Sequence, residues 1–430
     1  MNFKHLFVPC AALVCAIFFS SCLEDGCEAT RTFVEYEAIF VQPEEFRVEE
    51  IFHFESRKLE HPGKIYYYND MLIINEKYEG IHLYDNTDPS NPTYTGFIGI
   101  PGNLDVSIRD NILFADSYVD LLSIDISDLE NPMIKDRELE VFKKYQWEDD
   151  RGYFVYTKET DRTVELSCDD PNAGSEWFWR GGFIMAEANT FAFDGAANIN
   201  ASGTTNVTGQ GGSFARFSIV ENFLYVLNDR EINSFDISKL MDPVATSIVN
   251  VDWGTIETLF AYDEYLFIGG TDGMHIYDRV DPSTPSYVSR FKHARACDPV
   301  VVQGNTAYVT LRDGSRCESF TNQLDVIDIS NIRTPVLIES YDMTNPHGLG
   351  VVDDELYICD GRDGLRVFDK SDPNKIDDNK LSHLGGFHAY DIIPLTADHV
   401  IVVGDGGLYQ YNTSNPENLQ ELSFIALGDQ

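Results

Sequence analysis

The sequence repeats one short phrase, an apolar strand that ends on an aspartate or asparagine and is followed by a turn. Residues 323–330, with the sequence QLDVIDIS, show the phrase most clearly. Its seven copies end on these residues: Asp85, Asp125, Asp236, Asp278, Asp328, Asp369 and Asn412. Successive copies are 40, 111, 42, 50, 41 and 43 residues apart. Five intervals therefore fit one unit of about forty residues, and the long interval contains an insertion.

Each unit contains four short apolar segments separated by turns rich in Asp, Asn, Gly and Pro. In the first unit these segments are residues 65–68, 71–75, 80–85 and 94–98. Small sheets of this kind bury their faces only by stacking on one another, and a closed ring of them leaves few exposed edges. The spacing predicts an all-β fold, a seven-bladed β-propeller of four-stranded antiparallel blades with an N-terminal tether and one long insertion.

The domain boundaries follow from the extent of the repeats. We expect a signal peptide at residues 1–21, an acidic tether and N-terminal extension at 22–61, and the propeller at 62–430. The insertion covers about residues 141–212. It contains Trp177 and Trp179, which share one face if they lie in a strand. They either dock the insertion on the propeller or form an exposed aromatic platform.

The aspartates of the repeated phrase are predicted to be turn residues rather than metal ligands. An Asp side chain accepts hydrogen bonds from backbone N–H groups of the following turn, and a downstream Pro fixes the exit of the chain. Asp-Pro dipeptides recur at residues 88–89, 242–243, 281–282 and 372–373. Carboxylates on separate blades do not form a cluster, and no closely spaced Cys/His pairs of the zinc type occur. We expect neither a metal nor a cofactor.

The N-terminus resembles that of a bacterial lipoprotein. A charged start is followed by an apolar run at residues 6–19, too short for a spanning helix but typical of a secretory signal. The run ends in Ser20-Ser21-Cys22, which resembles a lipobox and implies that Cys22 carries lipid in the outer membrane. The acidic residues 23–25 resemble a Bacteroidetes-type surface-export signal and are equally well explained as a solvated tether. An ordinary cleaved signal is the alternative to lipidation.

The charge balance excludes two classes of partner. The chain has 71 acidic against 31 basic side chains and a formal net charge of −40. Nucleic acid and anionic lipid headgroups are repelled at long range by such a protein. The expected partners are therefore the membrane, through lipid on Cys22, and a protein or glycan.

Residues 324–328, LDVID, resemble the consensus of the LVIVD-repeat proteins. The similarity extends from residue 62 to the C-terminus apart from the insertion, and seven copies in register with their Asp-Pro turns make it specific. It implies a β-propeller of a secreted or lipid-anchored bacterial protein, displayed at the cell surface. It implies no chemistry for named residues.

Propellers bind ligands at one face, where the loops entering the innermost strands and those joining the second and third strands converge. We call this end of the sheets the entry face. The candidate ligand-binding residues there are Asn103, Arg216, Glu257, Asp298, His347, His388 and Arg362. The joining loops also contain Asp116, Asp120, Asp229, Arg312, Asp360 and Asp405.

Three interpretations of the entry face stay open. Its polar loops either satisfy backbone groups around a wet channel, bind a glycan, peptide or protein, or catalyse a reaction in which His347 and His388, with Asp391 nearby, form an acid/base pair. No hydrolase, metalloprotease, phosphate-loop or dinucleotide motif supports catalysis. We predict a non-catalytic surface lipoprotein that serves as a binding or interaction platform, with a polysaccharide hydrolase or lyase as the alternative.

Two cysteines of the same unit are predicted to form a disulfide. Cys297 precedes an innermost strand and Cys317 lies in the next joining loop, so both belong to the entry face. The bond closes the loop between them and stabilises it through loop-closure entropy. Cys359 lies in an apolar strand and is expected to be a core residue.

Overall fold

The computed structural model describes residues 28–48, 51–54, 56–143, 145–167, 196–197, 210–213, 215–251, 256–292, 299–312 and 321–428. Several predictions concern residues outside these ranges. They are the signal peptide, Cys22, Trp177, Trp179, Asp298 and the disulfide between Cys297 and Cys317.

The chain divides into two compact units. The smaller comprises Met1–Phe40 and Phe154–Ala188, and the larger comprises Val41–Tyr153 and Asn189–Gln430. Strands dominate both. Within the described residues, no helix has the length and apolar character needed to cross a membrane.

The strand β2 covers the outer edge of the first four-stranded sheet. It follows β1 (Glu28–Val41) and the short helix α1 (Pro43–Phe46), and it spans Phe52–Phe54. The sheet itself consists of β3 (Pro62–Tyr68), β4 (Met71–Glu76), β5 (Gly80–Asp85) and β6 (Thr93–Gly99). Because β2 pairs antiparallel with β6, it satisfies backbone groups that an edge strand leaves open.

The second sheet is a plain four-stranded antiparallel meander. It contains β7 (Val106–Arg109), β8 (Ile112–Ser117), β9 (Asp120–Asp125) and β10 (Met133–Glu138). The insertion then begins with β11 (Gln146–Glu148) and β12 (Gly152–Ser167), which form a three-stranded sheet in the order β1-β12-β11. In the smaller unit the rings of Phe40 and Phe154 lie 5.6 Å apart.

The described part of the insertion ends with β13 (Ala196–Ala197) and β14 (Gln210–Ser213), and five more four-stranded sheets follow. The third contains β15 (Phe217–Val220), β16 (Phe223–Asn228), β17 (Glu231–Asp236) and β18 (Val244–Asn250). The fourth contains β19 (Ile256–Tyr262), β20 (Tyr265–Gly270), β21 (Gly273–Asp278) and β22 (Ser286–Phe291). The fifth contains β23 (Val300–Gln303), β24 (Thr306–Leu311), β25 (Gln323–Asp328) and β26 (Val336–Asp342).

The last two sheets repeat the same order of strands. The sixth contains β27 (Leu349–Val352), β28 (Glu355–Cys359), β29 (Leu365–Asp369), a 3₁₀ turn at Asp377–Asn379 and β30 (Lys380–Leu384). The seventh contains β31 (Ala389–Thr396), β32 (His399–Gly404), β33 (Gly407–Asn412) and β34 (Gln420–Ala426). Cys359 is fully buried at the end of β28, which confirms its predicted core position.

The turn after each third strand is closed by the side chain that ends the strand. In all seven copies its Oδ1 accepts a hydrogen bond from the backbone N–H two residues later, at 2.8–3.4 Å. In the first copy, hydrogen bonds from Thr87 lower the pKa of Asp85. These contacts confirm that the repeated aspartates are turn residues.

Successive sheets are joined by side chains that donate to the turn carbonyls of the next sheet. Tyr341 Oη of the fifth sheet donates to Pro373 O of the sixth at 2.9 Å. The same type of contact joins the last sheet to the first, where Ser423 Oγ donates to Pro89 O at 2.7 Å. Apolar side chains of β3–β5 and of β31–β34 also share one buried cluster. The seventh sheet therefore packs on the first sheet through the same kinds of contact that join consecutive sheets.

The insertion returns to the innermost strands of the sheets. β14 pairs antiparallel with β3, through Gln210 opposite Tyr67, on the edge of β3 that β4 leaves open. Ser213 Oγ donates to Asp391 Oδ1 of β31 at 3.0 Å and accepts a hydrogen bond from Leu349 N of β27 at 3.0 Å. β13 pairs with β14 and contacts β19 and β31. The hairpin β13–β14 thus lies among the first strands of several sheets.

Candidate functional site

Asn103 is a buried structural residue of the entry face. It is fully inaccessible to solvent. Its Nδ2 donates to Asp116 Oδ1 at 2.9 Å, and its Oδ1 accepts a hydrogen bond from Asn75 Nδ2 at 2.7 Å. Because both ends of the amide are occupied within the chain, Asn103 has no polar group directed at a ligand.

Arg216 belongs to a charged network between the first three sheets. Its backbone N donates to Asp105 Oδ2 at 2.8 Å, and its guanidinium lies 3.3 Å from Asp229. The same carboxylate oxygen of Asp105 forms a buried ion pair with Lys64 Nζ at 2.7 Å. Glu257 is partly buried and also interacts within the chain. These two candidates therefore lie apart from the two histidines and have partners of their own.

His347 and His388 come together, as expected for loops that converge on the entry face. His347 precedes β27 and His388 precedes β31, and their Nε2 atoms are 3.3 Å apart. The ring of Tyr390 stacks on His388 with centroids 4.3 Å apart and meets His347 edge-on at 5.5 Å. Arg312, at the end of β24, contacts His347 Nδ1. We call Arg312, His347, Arg362, His388 and Tyr390 the mouth cluster.

Both ring nitrogens of His347 have polar contacts. Arg312 Nη1 contacts Nδ1 and lies 3.1 Å from Nε2. Nε2 also lies 3.0 Å from Asn345 Oδ1. His347 is 5% exposed. Burial, then the positive charge of Arg312 and the neighbouring His388, lower its pKa to about 2.

The outer part of the mouth cluster is open to solvent. Arg362 is exposed, and no hydrogen bond or ion pair of its side chain is found within the described residues. His388 is partly buried, and burial is the main cause that lowers its pKa, opposed by Asp405. His388 N donates to Asp405 Oδ1 at 3.3 Å, and Asp405 N donates back to His388 O at 3.0 Å. Asp405 therefore fixes the loop that carries His388.

The loop that carries His347 is fixed by another carboxylate, which is buried. Asp360 is fully buried and accepts hydrogen bonds from the backbone N atoms of Thr344 and Asn345, at 3.0 and 2.7 Å to Oδ1. Arg366 Nη2 lies 2.9 Å from Asp360 Oδ2. The joining-loop aspartates Asp360 and Asp405 thus position the histidine loops by the same kind of contact that closes the repeated turns.

Asp391 is not the partner of either histidine. Its Oδ1 is bonded to Ser213, and its Oδ2 is buried without a hydrogen-bond partner among the described residues. Burial raises the pKa of Asp391 to about 8, although hydrogen bonds and the charge of Lys64 oppose this shift. The side chain of Asp391 therefore holds β14, and the acid/base pair of the two histidines stays a prediction.

Sequence reasoning missed a row of aromatic rings beside the mouth cluster. Phe387, Tyr409 and Phe424 have centroids 4.7 and 4.6 Å apart in that order. Tyr409 of β33 is the register partner of Phe424 of β34. We call these three residues the aromatic ladder. Its signal in the sequence is weak, because the three residues lie in separate segments that only the strand register brings together.

The mouth cluster offers groups that are suited to recognition of a bound molecule. A histidine with a pKa near 2 is a weak base, whereas efficient general bases have pKa values near the working pH. Among the described residues, no group of three or more His, Cys, Asp or Glu side chains is arranged to hold a metal ion. Arginine, imidazole and phenol groups at the cluster instead supply donors, acceptors and ring faces to a bound molecule.

Comparisons with known proteins agree with the repeat and the architecture. The LVIVD repeat family matches residues 294–343, which include β25 and the turn after it. No curated protein sequence matches the chain. The computationally designed Ika8 protein is 10% identical with a TM-score of 0.51, over 88% of this chain and 92% of that chain.

A protein from Lactobacillus plantarum is similarly related in structure. It is 12% identical with a TM-score of 0.51, over 85% of this chain and 97% of that chain. BamB from Moraxella catarrhalis is 8% identical with a TM-score of 0.44, over 80% and 79% of the two chains. At such identities the similarity to the first two proteins concerns the fold alone. The LVIVD repeat and the successive four-stranded antiparallel sheets are those of a β-propeller.

Proposed function

We propose that the chain is a cell-surface lipoprotein whose closed, seven-bladed propeller presents a non-catalytic binding site at the mouth cluster. Lipid on Cys22 anchors it to the outer membrane, with the propeller facing outward. The seven successive four-strand sets support the blade count. The contact of Ser423 with Pro89, equivalent to that between Tyr341 and Pro373, supports closure of the ring.

The binding function is supported mainly by side chains from different sheets that meet at one place. Arg312, His347 and His388 come from three successive sheets yet meet within hydrogen-bonding distance. The buried Asp360 and the exposed Asp405 fix the loops of the two histidines, and Arg362 and Tyr390 extend the cluster towards solvent. A preorganised group of donors, acceptors and rings at a propeller mouth is the usual form of a binding site.

A hydrolase or lyase is the competing function. The distance of 3.3 Å between the histidines is compatible with a proton relay. The low pKa of His347 opposes it, because the relay contains one group that stays neutral at physiological pH. Binding is therefore the better supported function.

The test combines binding and turnover on the same variants. The full chain is applied to an array of polysaccharides and extracellular proteins, and Arg362→Ala and His388→Ala are compared with the parent. We expect each variant to lose about tenfold in affinity, the effect of roughly one lost hot-spot contact. Release of reducing ends or unsaturated sugar is measured in parallel. Turnover that disappears in His388→Ala would establish the enzyme instead, and unchanged affinity in both variants would remove the mouth cluster as the site.

The anchor is tested separately from the site. In cells given a labelled fatty acid, the parent chain is expected to incorporate label and Cys22→Ser to incorporate none. Protease added to intact cells should degrade the propeller if it faces outward. Protection from the protease would place it on the inner side of the membrane.

A further inference from the structure

The aromatic ladder remains partly open to solvent although it adjoins the core. Phe424 is 43% exposed, and Phe387 and Tyr409 are partly buried against the cluster between the sixth and seventh sheets. Large aromatic rings usually bury most of their area, so three neighbouring rings with exposed surface mark a contact site. Phe387 directly precedes His388 of the mouth cluster. The ladder is thus continuous with the site already described.

Glycines allow the rings to lie close to the backbone. A Cβ on Gly404 would lie 2.8 Å from the Phe387 ring, and one on Gly407 would lie 3.0 Å from the Phe424 ring. Gly404 and Gly407 therefore leave room for two of the rings. The three rings stack on one another with tilts of 39° and 32°, so Phe424, at the end of the row, supplies the exposed ring surface.

Planar polar groups flank the rings. Asp405 lies within the GDGG turn, is exposed, and raises the pKa of both Tyr390 and Tyr409 through its charge, in each case secondary to burial. Glu421 is exposed and also acts on Tyr409. Arg362 is exposed, and after burial and Asp405 its charge also acts on the pKa of His388 and of Tyr390. Two carboxylate acceptors and one guanidinium donor therefore act on the mouth cluster and the aromatic ladder.

We propose that the aromatic ladder, together with Asp405, binds a neutral carbohydrate that extends from the mouth cluster. This inference rests on the proposed binding function and names its ligand class. A sugar ring stacks its C–H face on an aromatic ring, and its hydroxyls donate to carboxylates and accept from arginine. Asp405, Glu421 and the net charge of −40 disfavour an acidic polysaccharide.

The test is migration of the full chain in native gels that contain one soluble polysaccharide each. The probes are an α-glucan, a β-glucan, a mannan, a xylan and, as an acidic counterpart, polygalacturonate. We expect at least one neutral probe to retard the parent chain. Phe424→Ala should weaken that binding about tenfold or more, and Phe424→Trp should retain it. Asp405→Asn keeps an acceptor and should weaken it less.

Tyr287→Ala is the matched control. Tyr287 is 51% exposed on β22, the outer strand of the fourth sheet, and pairs with a tyrosine on the third strand as Phe424 does. We expect this variant to bind like the parent, with equal thermal stability in all variants compared. Equal loss in Tyr287→Ala and Phe424→Ala would contradict a specific ladder.

The remaining outcomes separate this inference from the proposed function. No retardation by any neutral probe would overturn the carbohydrate assignment. Binding to polygalacturonate or to an arrayed protein that depends on Arg362 but not on Phe424 would also overturn it, while the mouth cluster would stand. Loss of binding in Phe424→Ala with no change in Arg362→Ala or His388→Ala would keep the ladder and remove the mouth cluster.

Discussion

The two ends of the sheets differ in how regularly their hydrogen bonds repeat. At the end with the turns after the third strands, seven different sheets use one hydrogen bond, from a backbone N–H to an Asp or Asn Oδ1. At the entry face, joining-loop aspartates accept backbone N–H groups in the second, sixth and seventh sheets, but the other polar contacts differ from sheet to sheet. The first three share the Lys64–Asp105 ion pair, whereas the last three share the mouth cluster.

This difference separates scaffold from function. A repeated turn is under the same physical demand in every sheet, which is to reverse the chain and satisfy its N–H groups. A residue of the entry face meets different neighbours in each sheet, so its role depends on the residues opposite. Repetition therefore identifies structure, and the variation between copies identifies candidate sites.

The largest expected effect is at the entry face, in Asp105→Ala. Its carboxylate accepts hydrogen bonds from Lys64 Nζ and from Arg216 N, and Lys64 is 7% exposed. Removing it leaves a buried ammonium without its partner, which costs about 3–5 kcal/mol. Urea unfolding of the larger unit measures this loss. The double variant Lys64→Met/Asp105→Leu should recover most of it, and a loss below about 1 kcal/mol in Asp105→Ala would show that water solvates Lys64.

A second entry-face effect depends on pH. Asp391 has a folded pKa of about 8 and an ordinary value of about 3.9 in the unfolded chain. At pH values between these two pKa values, the carboxyl of Asp391 is protonated in the folded chain and ionised in the unfolded chain. Its contribution to the free energy of unfolding is therefore complete at low pH and is lost as the pH rises to about 8. The slope is about 1.4 kcal/mol per pH unit and flattens near the folded pKa, which gives about 2 kcal/mol between pH 6 and pH 8.

Asp391→Asn is the control, because an amide keeps the acceptor for Ser213 and does not titrate. The difference in unfolding free energy between the parent and Asp391→Asn should shift in favour of Asn by this amount from pH 6 to pH 8. Parallel stability curves would mean that Asp391 is ionised in the folded protein. In that case Lys64 would have to compensate its charge.

The difference between the repeated turns and the entry face also explains which features could be predicted from the sequence. The four-strand sets, the turn aspartates and the meeting of His347 with His388 all follow from counting positions along equivalent units. The ladder does not, because the contact of Tyr409 with Phe424 depends on the strand register after a bulge between Gln410 and Tyr411. β14 was also missed. Its sequence QGGS has no apolar pattern, and its strand form is imposed by the open edge of β3.

The smallest expected effect is at the repeated end, in Asp369→Ala. Hydrogen bonds from Ser371 lower the pKa of Asp369, and Ser371 N lies 2.8 Å from its Oδ1. Alanine removes this acceptor at an exposed turn, with an expected loss of about 0.5–1.5 kcal/mol. The seventh sheet contains a natural counterpart of Asp369→Asn, because Asn412 accepts a hydrogen bond from Ser414 N at 3.0 Å in the equivalent turn. Asp369→Asn should therefore keep most of the stability at neutral pH, and a loss equal to that of alanine would mean that charge rather than the hydrogen bond closes these turns.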